Sequence, residues 1–140
     1  MSSNLPYITV DVTPEAEPHW KALAEGKMLV QWDTKNDTWV WPPKALAPWD
    51  PEAPLEWREL SGEGEVYTFT IIHKGGALGG GVDFNINGPY VLAYITLDGG
   101  PTIMGNVVGD DALEVKIGDR VKLIAPPEPV EQGAARFVRV

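Results

Sequence analysis

Hydrophobic positions repeat first at helical spacing and later at strand spacing, with a proline-rich stretch of neither period between them. In "TPEAEPHWKALAEGKM" the residues Trp20, Leu23 and Ala24 share one helical face. Thr13 stands where an N-cap is expected, Pro14 in the first turn, Glu15 and Glu17 near the positive end, and Gly26 at the stop. A helix this short needs a surface to dock on. The pattern then changes: "KMLVQW", the polar turn "DTKND" and "TWVW" predict two short strands joined as a hairpin and closed off by Pro42 and Pro43. A loop-like passage follows to about Pro54.

From Leu55 onward the β-type runs lengthen. "LEWREL", "GEVYTFTIIHK", "PYVLAYITLD", "PTIMGNVV", "DRVKLIAP" and "ARFVRV" are each bounded by Gly, Pro or Asp. In the second run Tyr67, Phe69 and Ile71 alternate with Val66, Thr68 and Thr70, which predicts a strand whose two faces see different surroundings. "LDGGP" predicts a tight turn with Gly99 and Gly100 free to take positive φ. Five or six strands in about 85 residues, without a substantial helix, predict a small closed barrel.

Composition narrows the partners. At 140 residues the chain has room for one domain with a real core, or one domain and a small appendage. Its net charge of -9 repels a phosphate backbone, so nucleic acid is not the expected partner. There is no cysteine, which excludes disulfides, thiolate zinc sites and thiol catalysis. The N-terminus lacks the basic start and apolar run of a secretory signal, and no stretch approaches the roughly 18 apolar residues of a membrane span. A soluble cytoplasmic protein is expected.

Candidate chemistry is sparse. There is no GxSxG, no HExxH and no phosphate-binding GxxxxGK[ST]. The loop "HKGGALGGGVDFNINGPY" has five glycines in seven residues, which permits close backbone approach to a ligand or partner. Its candidate residues are His73, Gly75, Gly79, Gly80, Phe84, Asn85, Asn87 and Tyr90. His73 is a possible acid or base, although a lone His at a strand end is more often a polar terminus. All six tryptophans lie between Trp20 and Trp57. Burial of Trp32, Trp39, Trp41 and Trp57 as a small core is one reading; Trp20, Trp39, Trp41 and Trp49 as partner contacts is the other, with Trp49 and Trp20 the foremost anchors.

In order and spacing, "TPEAEPHWKALAEGKMLVQW", "WVWPPKALAP", "LEWRELSGEGEVYTFTIIHK" and "PYVLAYITLDGGPTIMGNVVG" resemble the acyl-CoA-associated OB-fold family of bacteria and archaea, known as a domain of unknown function. The resemblance covers nearly the whole chain. It implies a short helix and a rubredoxin-like zinc ribbon within residues 1–54, then a five-stranded OB-fold barrel within 55–140, a mainly β fold. With the family's Pro-Pro set on Pro42 and Pro43, its four zinc cysteines fall at Asp33, Asn36, Ala47 and Asp50. None of these is a soft ligand, so the ribbon is expected to be degenerate and metal-free. A hard cation held by Asp33, Asn36, Asp37 and Asp50 is disfavoured by Lys35 and by the missing EF-hand glycine.

The resemblance further implies a non-catalytic accessory subunit of a thiolase-like acyltransferase, synthase or aldolase, or of a hotdog-fold hydratase. Such a subunit would form a hetero-oligomer and share the partner's acyl-CoA substrate, with no cofactor of its own. A free-standing nucleic-acid-binding OB-fold and a self-sufficient acyl-CoA enzyme are the alternatives.

Overall fold

A computed structural model describes residues 5–6, 12–75, 83–126 and 135–140. A 3₁₀ turn over Pro14–Ala16 runs into helix α1, Glu17–Ala24, and Gly26 ends it at a φ of 76°. Thr13 takes the extended N-cap conformation but its side chain makes no capping hydrogen bond. The buried stripe is His19, Ala22 and Leu23, rotated from the expected face, so that Trp20 and Ala24 are only partly covered. The rotation puts the ring of His19 in the packed centre. There its Nδ1–H donates to the Leu29 carbonyl at 2.8 Å, which ties the helix to the first strand.

Strands β1 (Met28–Asp33) and β2 (Thr38–Val40) form the expected hairpin, with Asp37 at a φ of 50° in its turn. Strand β3 (Leu55–Leu60) corrects the sequence reading, which used it to open the barrel. It pairs antiparallel with β1 along its whole length, from Met28 opposite Leu60 to Asp33 opposite Leu55. The resulting three-stranded sheet has the order β2-β1-β3. The two strands match in length, six residues against six, so β3 covers one edge of β1 completely, while β2 covers the other only over Gln31, Trp32 and Asp33.

Strands β4 (Glu63–Ile72), β5 (Tyr90–Leu97), β6 (Thr102–Val108), β7 (Arg120–Leu123) and β8 (Arg136–Arg139) close a barrel of order β4-β5-β6-β8-β7. All neighbours are antiparallel except β6 and β8, and β7 returns to β4. Val66, Val91, Ala93, Ile95, Ile103, Val107, Val121 and Phe137 fill the interior, and Leu23, Met28 and Val30 join the same cluster from the N-terminal part. Helix, sheet and barrel therefore share one hydrophobic core.

The alternation of β4 changes phase at a bulge. Val66 pairs with Ile95, yet Thr68 pairs with Tyr94, so β4 advances two residues while β5 advances one. Tyr67 is the extra residue and stands 66% exposed, whereas Phe69 and Ile71 pack on the core as expected. At the "LDGGP" turn Gly99 takes a φ of 68°, while a Cβ at Gly100 would lie 2.4 Å from Leu60 Cδ1, the end of a partly exposed side chain that can turn aside. Among the described residues no helix is long and apolar enough to cross a membrane.

Candidate functional site

Two features stand out, an uncharged groove where helix, ribbon and barrel meet, and the polar knuckle at the tip of the ribbon. The groove has a volume of about 260 Å³. One wall is His19, Trp20 and Leu23 of α1 with Trp41, Pro42 and Pro43; the other is Leu92 of β5 with Met104 and Asn106 of β6. The walls hold their shape for identifiable reasons. The His19 ring meets Trp41 edge-on at 4.9 Å and Trp20 at 5.7 Å. Asn106 Nδ2 donates to the Val91 carbonyl at 2.9 Å, which fixes its side chain on the barrel surface.

His19 Nδ1 carries its proton because a carbonyl can only accept. Burial lowers the pKa of the ring, with the bond to Leu29 opposing, so the ring is neutral. On β5 and β6 the outward row continues the groove: Leu92 faces Asn106, and Tyr94 faces Met104. A second hollow of about 250 Å³ lies there, lined by Thr68, Phe69, Thr70, Tyr94 and Met104 and sharing Leu92 with the first. Tyr94 is 45% and Met104 50% exposed. In a chain with a net charge of -9, neither hollow has a charged residue in its lining.

At the knuckle, Asp33 is completely buried. Its Oδ1 accepts from the Lys35 and Asn36 backbone N–H groups at 2.9 Å each. Its Oδ2 accepts from Asn36 Nδ2 at 2.8 Å and Trp49 Nε1 at 2.7 Å. Asp50 sits beside it, paired with Lys35 Nζ at 2.8 Å and with Asn36 Nδ2 at 3.3 Å. Ala47 is buried and bridges to Asp50. The four positions that the family resemblance assigns to zinc thus do converge. Their chemistry does not fit it: structural zinc takes about four thiolate or imidazole donors, and here stand two carboxylates, an amide and a methyl group. Among the described residues no three His, Cys, Asp or Glu side chains are arranged to hold a metal.

The sequence-predicted residues divide between these places. Trp20 and Trp41 come together in the groove. Trp39 instead packs edge-on against Trp32 at 4.7 Å, with the Arg58 guanidinium over Trp32 at 4.5 Å. Trp49 is 51% exposed, but its indole N–H is held by Asp33. None of the six tryptophans is fully buried, and the small core of the knuckle is aliphatic, formed by Val40, Ala47 and Ala53 with Leu55.

In the glycine loop, Asn85 ties the two ends together. It accepts from the Gly75 N–H at 2.8 Å and donates to the carbonyls of Ile72 at 2.9 Å and Gly88 at 3.1 Å. Phe84 packs on the buried Tyr90 at 6.1 Å, and Asn87 is exposed. Gly79 and Gly80 lie outside the described residues. His73 is exposed and makes no hydrogen bond or ion pair among the described residues, so nothing orients it for proton transfer. Sequence reasoning missed His19, Leu92, Tyr94 and Met104. The alternation of β5 carries the signal for the outer row, since buried Val91, Ala93, Ile95 and Leu97 leave Leu92 and Tyr94 pointing outward.

The architecture defines a class first: an OB-fold barrel with a helix and a three-stranded ribbon packed on it. Comparison with known proteins gives the family. The profile described as "ChsH2, C-terminal OB-fold domain" matches residues 57–125. The DUF35 domain-containing scaffold protein of Methanocaldococcus jannaschii is 31% identical over 107 residues, 75% of this chain and 72% of that one. The scaffold protein of the same description from Pyrococcus furiosus is 24% identical over 106 residues, 76% of this chain and 74% of that one. The chain belongs to the DUF35 family. Two solved structures share its fold. The "Ltp2-ChsH2(DUF35) aldolase" aligns with a TM-score of 0.72 at 22% identity, covering 94% of this chain and 98% of that one. A DUF35 protein of unknown function from Sulfolobus solfataricus aligns with a TM-score of 0.61 at 18% identity, covering 92% and 87%.

Proposed function

We propose that this chain is a non-catalytic accessory subunit that binds and stabilises an acyl-CoA enzyme of thiolase or hotdog fold and helps shape its acyl-CoA site. The observation that carries the reading is the uncharged surface running from Trp20, Trp41 and Pro43 across Leu92 and Met104 to Tyr94. Relatives described as scaffold proteins and a fold neighbour described as an aldolase with a DUF35 component support it. Trp49, half exposed and fixed by Asp33, and the loop around Gly75 and Asn85 are proposed as further contacts. The acidic excess orients the subunit against a basic partner surface, so association slows as salt rises.

The test is purification of the untagged native complex, followed by reconstitution with variants. Met104→Glu or Tyr94→Glu is expected to weaken assembly by about tenfold or more, because a charge would be buried without a partner. His73→Ala is expected to leave turnover of the complex within a few fold. Turnover of an acyl-CoA by the chain alone would refute the reading, and so would salt-dependent binding of single-stranded DNA with no protein partner.

A further inference from the structure

We propose that the knuckle of the ribbon is closed by the Asp33 carboxylate, which takes the structural place of a metal ion and leaves no room for one. The argument rests on where the donors come from. Lys35 and Asn36 belong to the β1–β2 turn, whereas Trp49 and Asp50 belong to the separate turn 47–50. Asp33 accepts two backbone N–H groups and a side-chain amide from the first turn and the indole N–H from the second. Asn36 Nδ2 and Lys35 Nζ then reach across to Asp50. One anion thus joins two separate turns, through a bond between Asp33 and Trp49, 16 residues apart in sequence, which is what a tetrahedral ion does in a ribbon.

Charge polarity decides against a cation. A carboxylate offers about four acceptor sites, and four N–H groups already occupy those of Asp33. Every one of these groups points its positive end at the centre, and the Lys35 ammonium lies beside it on Asp50. A metal bound by Asp33 would have to displace these donors, and the Ala47 side chain offers it no donor atom in their place. The charged groups that adjoin Asp33 are Lys35 and Asp50, and they pair with each other. Burial alone would raise the pKa of Asp33, but the Asn36, Trp49 and Lys35 hydrogen bonds outweigh it and lower the value to about 2, which keeps the acceptor ionised at neutral pH.

The experiment measures metal content and thermal midpoint of the full chain as purified, after 1,10-phenanthroline or EDTA, and after added zinc or calcium. The expected result is well under stoichiometric metal and a midpoint unmoved within about 1 °C by any of these additions. Near-stoichiometric metal, or a midpoint that falls on chelation, overturns the proposal. Asp33→Asn is expected to lower the midpoint by several degrees, and Trp49→Phe by less. Their double variant is expected to lose less than the sum, because both changes weaken the one hydrogen bond between Trp49 Nε1 and residue 33; additive losses overturn the proposal. Should Asp33→Asn fail to fold, hydrogen exchange in the native chain decides. The Lys35 and Asn36 amides and the Trp49 indole N–H are expected to be protected, and exchange at free-peptide rates overturns the proposal.

Discussion

Replacing Gly105 by alanine tests how closely β8 packs on β6 where the barrel closes. In an ordinary strand this change stabilises by about 0.5–1 kcal/mol, since alanine has less backbone freedom to lose on folding. Here the added Cβ would lie 2.8 Å from Phe137 Cε2 and 2.9 Å from the Ala135 carbonyl oxygen. The ring has nowhere to swing, because Phe137 is completely buried between Val107 and Leu123. The carbonyl cannot retreat without stretching its 3.0 Å hydrogen bond from the Asn106 N–H, at the start of the β6–β8 pairing. Overpacking of this kind costs about 1–3 kcal/mol, and a strained closing hydrogen bond adds up to about 1. The net expectation is a loss of about 2–3 kcal/mol, read as a lower urea midpoint at unchanged slope, or a fall in melting temperature of about 6–12 °C. Adding Phe137→Leu to Gly105→Ala removes the ring contacts and should recover part of the loss relative to the sum of the single changes. Unchanged or increased stability of Gly105→Ala would refute the packing of β8 on β6.

Trp41→Ala should cost about 2–3 kcal/mol in chemical denaturation, since the ring is partly buried and braces His19; a loss below about 0.5 would show that it carries no packing. Stability should fall with acid in two separate ranges. The folded pKa of His19 lies below 6.5, so its contribution is complete above that pH and declines as the pH drops below it; His19→Asn should abolish this first decline, and flat stability from pH 7.5 to 5.5 would refute it. The folded pKa of Asp33 lies below 3.8, so its contribution is present above about pH 4 and is lost as the pH falls toward about 2, a range that Asp33→Asn should flatten.

The strands were legible in the sequence because their local chemistry agrees with their place in the fold. "PYVLAYITLD" alternates, ends in a glycine turn, and is β5 within a residue at each end. Tyr67 was misplaced because a bulge is a property of two strands, visible only in the change of register between Val66 and Thr68 against β5. The partner of β3 was misread for the same reason: "LEWREL" says strand, but pairing with β1 is decided by chain reach and matched length. In the helix, the pattern rule discounts a histidine as a core residue. The Leu29 carbonyl that satisfies His19 lies ten residues away and cannot be seen from helical spacing. Asp33, Asn36, Ala47 and Asp50 were brought together by family alignment, and only their hydrogen bonds show how an anion can serve at the centre.

The groove matters because neither structural part owns it. Its helix wall is held by His19 against β1, its barrel wall by Asn106 against β5, and the two walls meet over a core to which Leu23 and Met28 contribute alongside Ile103. The link from β3 to β4 is short, and the Gly62 carbonyl within it accepts from Leu123 N–H of β7 at 2.8 Å, so the ribbon enters the barrel with its orientation already fixed. A Cβ at Gly62 would lie 3.1 Å from Leu123 Cβ, and its φ of 80° disfavours any side chain, which holds that link to glycine. A partner that covers the groove therefore binds a surface assembled in advance, and little ordering of backbone opposes association. On the proposed function, the ribbon would fix the angle at which Trp41 and Pro43 face the barrel. A loosened Asp33 knuckle would act on binding at a distance, through the angle of β1 and β2.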